Sequence, residues 1–156
     1  MLKIAWTPDY NHPLPPNHRF PMEKYDLIPE QLIYEGTIAE SNLFQPPPLA
    51  PHWILRTHNR DYWHYALEHG IAMNMAGGTH HAFADRGEGF CLLNDIAVSS
   101  NYLLDEGLVK RILVVDLDVH QGNGTAALMK NEARVFTFSV HGEKNYPLRK
   151  ETSDWD

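Results

Sequence analysis

The sequence has little cysteine, little basic charge and no long apolar run, and each shortage excludes a class of protein. Cys91 is the only cysteine among 156 residues. This excludes an internal disulfide and a cysteine-based zinc site and suits a reducing compartment, so we expect a cytoplasmic protein. No window approaches the roughly 20 apolar residues that cross a bilayer, so we expect neither a membrane anchor nor an export signal.

The balance of charge argues against nucleic acid as a direct partner. Thirteen Lys and Arg residues stand against twenty Asp and Glu residues, for a formal net charge of −7. Such a chain lacks the basic surface that releases counterions from a phosphate backbone. An amine-bearing ligand is easier for an acidic protein to accommodate.

Apolar runs and helix signals alternate along the chain and predict the fold class. The predicted strands are residues 2–6, 71–75, 111–115 and 135–140. Helices are predicted to start near Pro29 and after the capping residues Asn59 and Asn94, and to cover residues 125–130, whereas residues 45–51, with four prolines, should be irregular. This order indicates an α/β protein with a parallel sheet, folded as a single domain over residues 1–156.

The most informative segment follows the apolar strand at 111–115. Alternation along extended backbone sends Asp116, Asp118 and His120 to one side of the chain. An isolated Asp-x-Asp-x-His more often caps a turn beside a packed histidine. Because two acids that end a buried strand lose hydration unless a cation or donors meet them, a bound metal ion is the better explanation here.

Two further polar clusters lie at other predicted strand ends. Gly-Gly-Thr-His-His at 77–81 places His80 beside His81, and Ser-Val-His-Gly occupies residues 139–142. Adjacent imidazoles can transfer protons as a pair, although such a pair on its own is more often structural. The functional ends of parallel strands gather at one edge of a sheet, so we expect the three clusters to meet.

Taken in order, three segments resemble the successive motifs of the histone deacetylase superfamily. They are Gly-Gly-Thr-His-His-Ala-Phe at 77–83, Gly-Glu-Gly-Phe-Cys-Leu-Leu-Asn-Asp at 87–95 and Asp-Leu-Asp-Val-His-Gln-Gly-Asn-Gly-Thr at 116–125. The superfamily includes histone deacetylases, acetylpolyamine amidohydrolases and acetoin-utilisation proteins. The resemblance implies a three-layer arginase/deacetylase-like fold, with helices on both faces of the sheet. It also implies zinc-dependent hydrolysis of an N-acetyl amide of the acetyl-lysine or acetylpolyamine type.

The resemblance assigns the catalytic pair to His80 and His81. One imidazole would take a proton from the attacking water and the other would assist proton delivery to the leaving amine. Asp116 would orient His80, and Asn123 would stand behind His81. Because Asn123 is a neutral amide, we expect His81 to become cationic less readily than it would beside a carboxylate.

The resemblance also implies metal and substrate sites. Asp118 and His120 would be zinc ligands. A potassium ion near the zinc would involve the same strand ends, at Asp116, Asp118, His120, Ser139 and Val140. The tunnel for the acylated side chain would be lined by Gly89, Phe90 and Tyr146. The other histidines are interpreted as loop or packing residues: His12, His18, His52, His58, His64, His69 and His141.

Two departures from the family pattern predict an incomplete domain. Residues 64–70 alone separate the helix near Tyr62 from the strand at 71–75, which indicates an internal deletion. The sequence also stops at Asp156, before the segment that supplies the family's third zinc ligand and its oxyanion-stabilising tyrosine. An incomplete sheet would expose an edge and apolar faces, which favours association with another chain.

Two other interpretations remain open. An inactive, truncated remnant could act as a binding or interaction module, and stoichiometric zinc would count against it. An arginase-like manganese ureohydrolase would use a related sheet with a two-metal site rich in aspartate. The histidine pair and Phe90 favour deacetylation over urea release.

Overall fold

The computed structural model describes residues 2–11, 13–68 and 79–152. Close contacts group the chain into two compact units, Met1–Leu49 and Ala50–Asp156. The predicted strand at 71–75, and the histidines at 12 and 69, lie outside the described residues. Whether the two units form the single domain expected from the sequence stays a prediction.

The first unit holds one short parallel strand pair and one helix. Strand β1 (Ile4–Ala5) pairs in parallel with β2 (Leu43–Phe44), and helix α1 (Lys24–Tyr34) lies between them in sequence. Single 3-10 turns cover Pro8–Tyr10 and Glu40–Asn42. The predicted first strand is confirmed in a shorter form. Strand β2 was not predicted, because two residues are too few to show the alternation of apolar and polar side chains that identifies a strand.

The predicted start of α1 near Pro29 is wrong, because the helix begins five residues earlier, at Lys24. A proline inside a helix lacks the N–H that would bond the carbonyl four residues before it. Here that carbonyl belongs to Tyr25, and it accepts a hydrogen bond from Trp6 Nε1 at 2.8 Å. The indole replaces the missing donor, so the buried Pro29 is tolerated inside the helix.

The second unit carries the remaining elements. They are α2 (Pro51–Leu55), α3 (Arg60–Glu68), α4 (Asp95–Asp105), β3 (Ile112–Asp116), α5 (Asn123–Met129) and β4 (Val135–Ser139). Every one except α2 was predicted, with bounds that shift by a few residues. Helix α2 was missed because its first residue, Pro51, closes a proline-rich segment, although proline suits the first position of a helix.

Asn94 connects helix α4 with the parts of the chain around it. Its side-chain oxygen accepts the Ala97 N–H at 3.0 Å, as predicted for a cap, and Gly107 has φ of +67° beyond the other end of the helix. The same amide donates to the Ala82 carbonyl at 3.2 Å and to Thr125 Oγ1 at 3.0 Å. Because Asn94 is fully buried, these bonds are shielded from water.

Strands β3 and β4 form a parallel pair that brings two predicted polar clusters together. Their register runs from Ile112 opposite Val135 to Asp116 opposite Ser139. Interpreting β3 as a fully buried strand was wrong, since Leu113 is 64% exposed. An apolar sequence is compatible with burial of a strand but does not ensure it. One apolar face of the β3–β4 pair is exposed among the described residues. Its members are Leu113, Val115, Phe136 and Phe138.

No helix within the described ranges is both long and apolar enough to cross a membrane.

Candidate active site

The histidine pair lies in a buried loop that two helices hold in place. His80 and His81 are 6% and 5% exposed, and their ring centroids are 4.1 Å apart. The carbonyl of His80 accepts the Thr125 N–H of α5 at 3.0 Å. The carbonyl of Ala82, which follows His81, accepts a hydrogen bond from the Asn94 side chain just before α4. The backbone is therefore held on both sides of His81.

Asp116, at the end of β3, holds His80. Its Oδ2 lies 2.6 Å from His80 Nδ1, and both side chains are almost buried. The other carboxylate oxygen accepts the Asp118 N–H at 3.0 Å. Because an ionised carboxylate can only accept, this bond places a proton on His80 Nδ1.

Asn123, the first residue of α5, holds His81 in the same way. Its Oδ1 lies 2.6 Å from His81 Nδ1. Burial lowers the pKa of His81, the hydrogen bond that His81 donates to Asn123 raises it, and the charges of His80 and His120 lower it further. His81 therefore favours its neutral form, in the direction expected for a ring backed by an amide.

Asp118 and His120 follow at the open end of β3. Asp118 Oδ1 lies 3.1 Å from His120 Nδ1 and accepts the His120 N–H at 2.7 Å. Burial acts to raise the pKa of Asp118, but the bond from the His120 backbone and the charges of His80 and His120 outweigh it and lower the pKa. The carboxylate is thus favoured in the form that binds metals.

This pair meets the first requirements of a zinc site. Carboxylate oxygen and imidazole nitrogen are zinc donors, and two ligands at tetrahedral bond lengths lie roughly 3.3 Å apart, close to the observed 3.1 Å. Side-chain exposures of 43% for His120 and 51% for Asp118 leave them accessible. Within the described residues, no group of three His, Cys, Asp or Glu side chains is arranged to hold a metal. The described donor set therefore amounts to two ligands.

The residues predicted for potassium lie at the adjacent ends of β3 and β4. Asp116 pairs with Ser139 in the register, and the Val140 N–H donates to the Asp116 carbonyl at 2.9 Å. Ser139 Oγ lies 2.9 Å from His141 Nδ1. The strand pairing brings these residues together, and their role in binding potassium stays a prediction.

Two of the three residues predicted to line the substrate tunnel, Tyr146 and Gly89, lie against His81. The Tyr146 ring meets the His81 ring edge-on, with centroids 4.8 Å apart. Gly89 approaches the ring so closely that an added Cβ would lie 2.5 Å from His81 Cδ2. Phe90 has φ of +66° and is 67% exposed, so a strained backbone directs an aromatic ring outward.

Glu88 also belongs to this site, and the sequence analysis missed it. Its Oε2 accepts a hydrogen bond from Asn123 Nδ2 at 2.9 Å. Burial raises the pKa of Tyr146, and the charge of Glu88 and a hydrogen bond with it raise the pKa further. No spacing rule links positions 88 and 123, so the only signal was the location of Glu88 inside the Gly-Glu-Gly-Phe segment.

The site thus combines two imidazoles suited to proton transfer with an Asp-x-His sequence whose side chains are metal donors. Comparison with known proteins identifies the family. Residues 63–155 match the family model for the histone deacetylase domain. The chain belongs to the histone deacetylase family.

Three relatives illustrate the extent of the similarity. An uncharacterized protein of Picosynechococcus sp. is 38% identical over 98% of this chain and 64% of its own length. The acetoin utilization protein AcuC of Staphylococcus aureus is 41% identical over 46% of this chain and 19% of its own length. The crystal structure of an HDAC homologue complexed with SAHA matches 96% of this chain and 54% of its own, with 26% identity and a TM-score of 0.81.

The structural match confirms the predicted fold class, the α/β fold of the arginase/deacetylase type. The chain spans less than two thirds of the length of each of these relatives.

Proposed function

We propose that the protein takes part in zinc-dependent hydrolysis of an N-acetyl amide, of the acetyl-lysine or acetylpolyamine type. The observation that carries this proposal is the histidine pair, in which each Nδ1 lies 2.6 Å from an oxygen acceptor. Membership of the histone deacetylase family supports the same reaction class.

The two histidines supply proton transfer from fixed positions. With Nδ1 bonded to Asn123 and its pKa lowered by burial, His81 keeps a free Nε2 that accepts a proton from the attacking water. His80 is oriented by Asp116 and lies against the His81 ring, so it can assist proton delivery to the leaving amine. Burial favours this proton-accepting state, and the neutral Asn123 opposes it less than a carboxylate in the same place would.

Asp118 and His120 would hold the zinc ion through their Oδ1 and Nδ1 or Nε2 atoms. When bound, zinc lowers the pKa of water and polarises an amide carbonyl. A catalytic zinc usually takes three protein ligands. We therefore propose that a third ligand is supplied from outside the pair, by another part of the protein or by a partner chain.

The proposed substrate is an acetylated amine with an aliphatic stem. The Tyr146 ring and the bare backbone of Gly89 offer apolar walls beside His81, and the exposed ring of Phe90 follows Gly89 in the same turn. The net charge of −7 favours an amine-bearing molecule over an anionic one.

Zinc content tests the metal part of this proposal. Elemental analysis of the size-fractionated 156-residue chain should be compared with His120→Ala and with His64→Ala, which removes an exposed imidazole from α3. Near-stoichiometric zinc that disappears only in His120→Ala supports the proposed site. Equal, substantial zinc in both variants contradicts it, whereas no zinc even in the unsubstituted chain means that its two donors do not hold the ion alone.

Turnover tests the reaction. The longest natural form of the protein, loaded with zinc, should release acetate from acetyl-lysine peptides or acetylpolyamines, and His81→Ala should abolish the release. If a folded, zinc-loaded protein releases no acetate from either substrate class, the proposed function is wrong and a binding module becomes the better explanation.

A further inference from the structure

Glu88 begins a tight turn that fixes its backbone. Its N–H donates to the Cys91 carbonyl at 3.1 Å, and the Cys91 N–H donates back to Glu88 at 2.8 Å. The two central residues, Gly89 and Phe90, have φ of +55° and +66°, as in a type I′ turn. Such a turn leaves its first residue little freedom, because both of its backbone bonds are used.

The Glu88 carboxylate then determines how the Asn123 amide is oriented. A carboxylate only accepts hydrogen bonds, so Asn123 must turn its nitrogen toward Glu88 Oε2, at 2.9 Å. The oxygen of the same amide is left facing His81 Nδ1, at 2.6 Å. Asn123 is 4% exposed, so water does not readily replace either bond.

We propose that Glu88 is a positioning residue for His81: by fixing the orientation of Asn123, it keeps the His81 proton on Nδ1 and leaves Nε2 free to accept. This inference deepens the proposed deacetylase function, on which the catalytic importance of His81 rests. An asparagine alone could present either its oxygen or its nitrogen to the ring. Glu88 removes that ambiguity, and it does so without placing a negative charge directly against His81.

The isosteric variant Glu88→Gln tests the proposal, because a glutamine can donate or accept and so no longer imposes a direction on Asn123. The measurement is the tautomer of His81, from the ¹⁵N signals of its ring in the 156-residue chain. The wild type should show the Nδ1-protonated form alone. Glu88→Gln should show at least about one part in ten of the Nε2-protonated form. Asp85→Asn also replaces a carboxylate by an amide, at an exposed position of the same loop, and His81 should keep the wild-type tautomer in this control.

A second substitution should restore the single tautomer. In Glu88→Gln/Asn123→Asp, the aspartate can only accept, so the glutamine must donate to it and His81 must again carry its proton on Nδ1. Recovery of the Nδ1-protonated form alone in the double variant, measured at a pH high enough to keep the ring neutral beside the new carboxylate, supports the proposal. A wild-type tautomer in Glu88→Gln, or no recovery in the double variant, overturns it.

Thermal stability provides an independent measurement. Asn123→Asp alone brings a second carboxylate against Glu88 and should lower the unfolding midpoint by about 4 °C, whereas adding Glu88→Gln should recover most of that loss. If the changes in unfolding midpoint caused by the two substitutions simply add, the proposal is overturned. This result does not depend on the quality of the NMR spectra.

These experiments also separate the positioning role from the proposed function. The tautomer and the midpoint need no turnover. If His81 depends on Glu88 but the zinc-loaded protein releases no acetate, the positioning role stands and the deacetylase function is wrong. If both hold, Glu88→Gln should lower kcat about tenfold and leave KM unchanged.

Discussion

His80 and Asp116 are joined by a hydrogen bond of 2.6 Å between Nδ1 and Oδ2, and the second oxygen of the same carboxylate accepts the Asp118 N–H at 3.0 Å. Asp116 therefore uses both oxygens as acceptors at once. One orients an imidazole, and the other shapes the turn that carries Asp118. An asparagine at this position could satisfy only one of the two donors.

Asp116→Asn should impair turnover while leaving the protein folded. If the amide oxygen keeps the Asp118 bond, its nitrogen faces His80 Nδ1 and selects the opposite tautomer. We expect kcat for acetyl-lysine hydrolysis by the longest natural form to fall by roughly 10²–10⁴-fold, as in other carboxylate–histidine pairs. Asp85→Asn is the matched control. An Asp116→Asn enzyme with unchanged kcat would show that this bond does not contribute to catalysis.

Local signals were sufficient for much of the second unit. The cap at Asn94 and the glycine at 107 were predicted because each acts within a few residues of its own helix end. The start of α1 was not predictable in the same way. Its internal Pro29 is tolerated because of Trp6, which lies 19 residues away in sequence from the carbonyl it bonds. No local pattern contains such a donor.

The candidate site shows the same division. Roles were assigned to His80, Asp116 and Asn123 by a resemblance that rests on the order of three motifs along the chain. Glu88 was missed because its contact with Asn123 depends on the direction of a turn and spans 35 residues. The exposure of the apolar β3 face was also missed, because an apolar run does not specify which neighbours cover it.

Asn94→Ala should destabilise the chain strongly. The substitution removes the cap of α4 and two further bonds, to Ala82 and Thr125, and leaves buried backbone groups without partners. The free energy of unfolding should fall by about 2–4 kcal/mol, measured by equilibrium unfolding in urea. Asn131→Ala, at an exposed turn, should change it by less than about 0.5 kcal/mol. Similar losses in both variants would contradict the proposed role of Asn94.

His58 should make stability depend on pH. It is 2% exposed, its Nδ1 lies 2.8 Å from the Phe83 carbonyl, and its Nε2 accepts the Asn94 N–H at 3.1 Å, so both nitrogens are used by a neutral ring. Burial lowers its pKa below the usual value of 6.5, and the bond to Phe83 only partly opposes this. An unfolded chain then binds the proton more readily. Stability is therefore full above about pH 6.5 and falls as the pH drops toward the folded-state pKa.

Thermal midpoints at pH 7.5 and pH 5.0 test this dependence. His58→Gln should be less stable than the wild type at pH 7.5, yet lose less stability on acidification because the titrating ring is gone. His64→Gln provides the control for loss of an imidazole from an exposed position. If the two variants lose equal stability between these pH values, His58 is not the source of the acid sensitivity.

Gly89 and Gly107 form a matched pair for measuring how closely the turn packs on His81. Both have positive φ, +55° and +67°, so an alanine at either position should cost about 1 kcal/mol in backbone strain. An added Cβ at Gly107 meets nothing within 4 Å, whereas at Gly89 it would lie 2.5 Å from His81 Cδ2. Gly89→Ala should therefore lose clearly more stability than Gly107→Ala in urea, and should shift the ring signals of His81 in NMR spectra. Equal losses of stability with unchanged His81 signals would show that the ring moves aside freely. The turn at Gly89 would then have no part in fixing His81, the proposed proton acceptor.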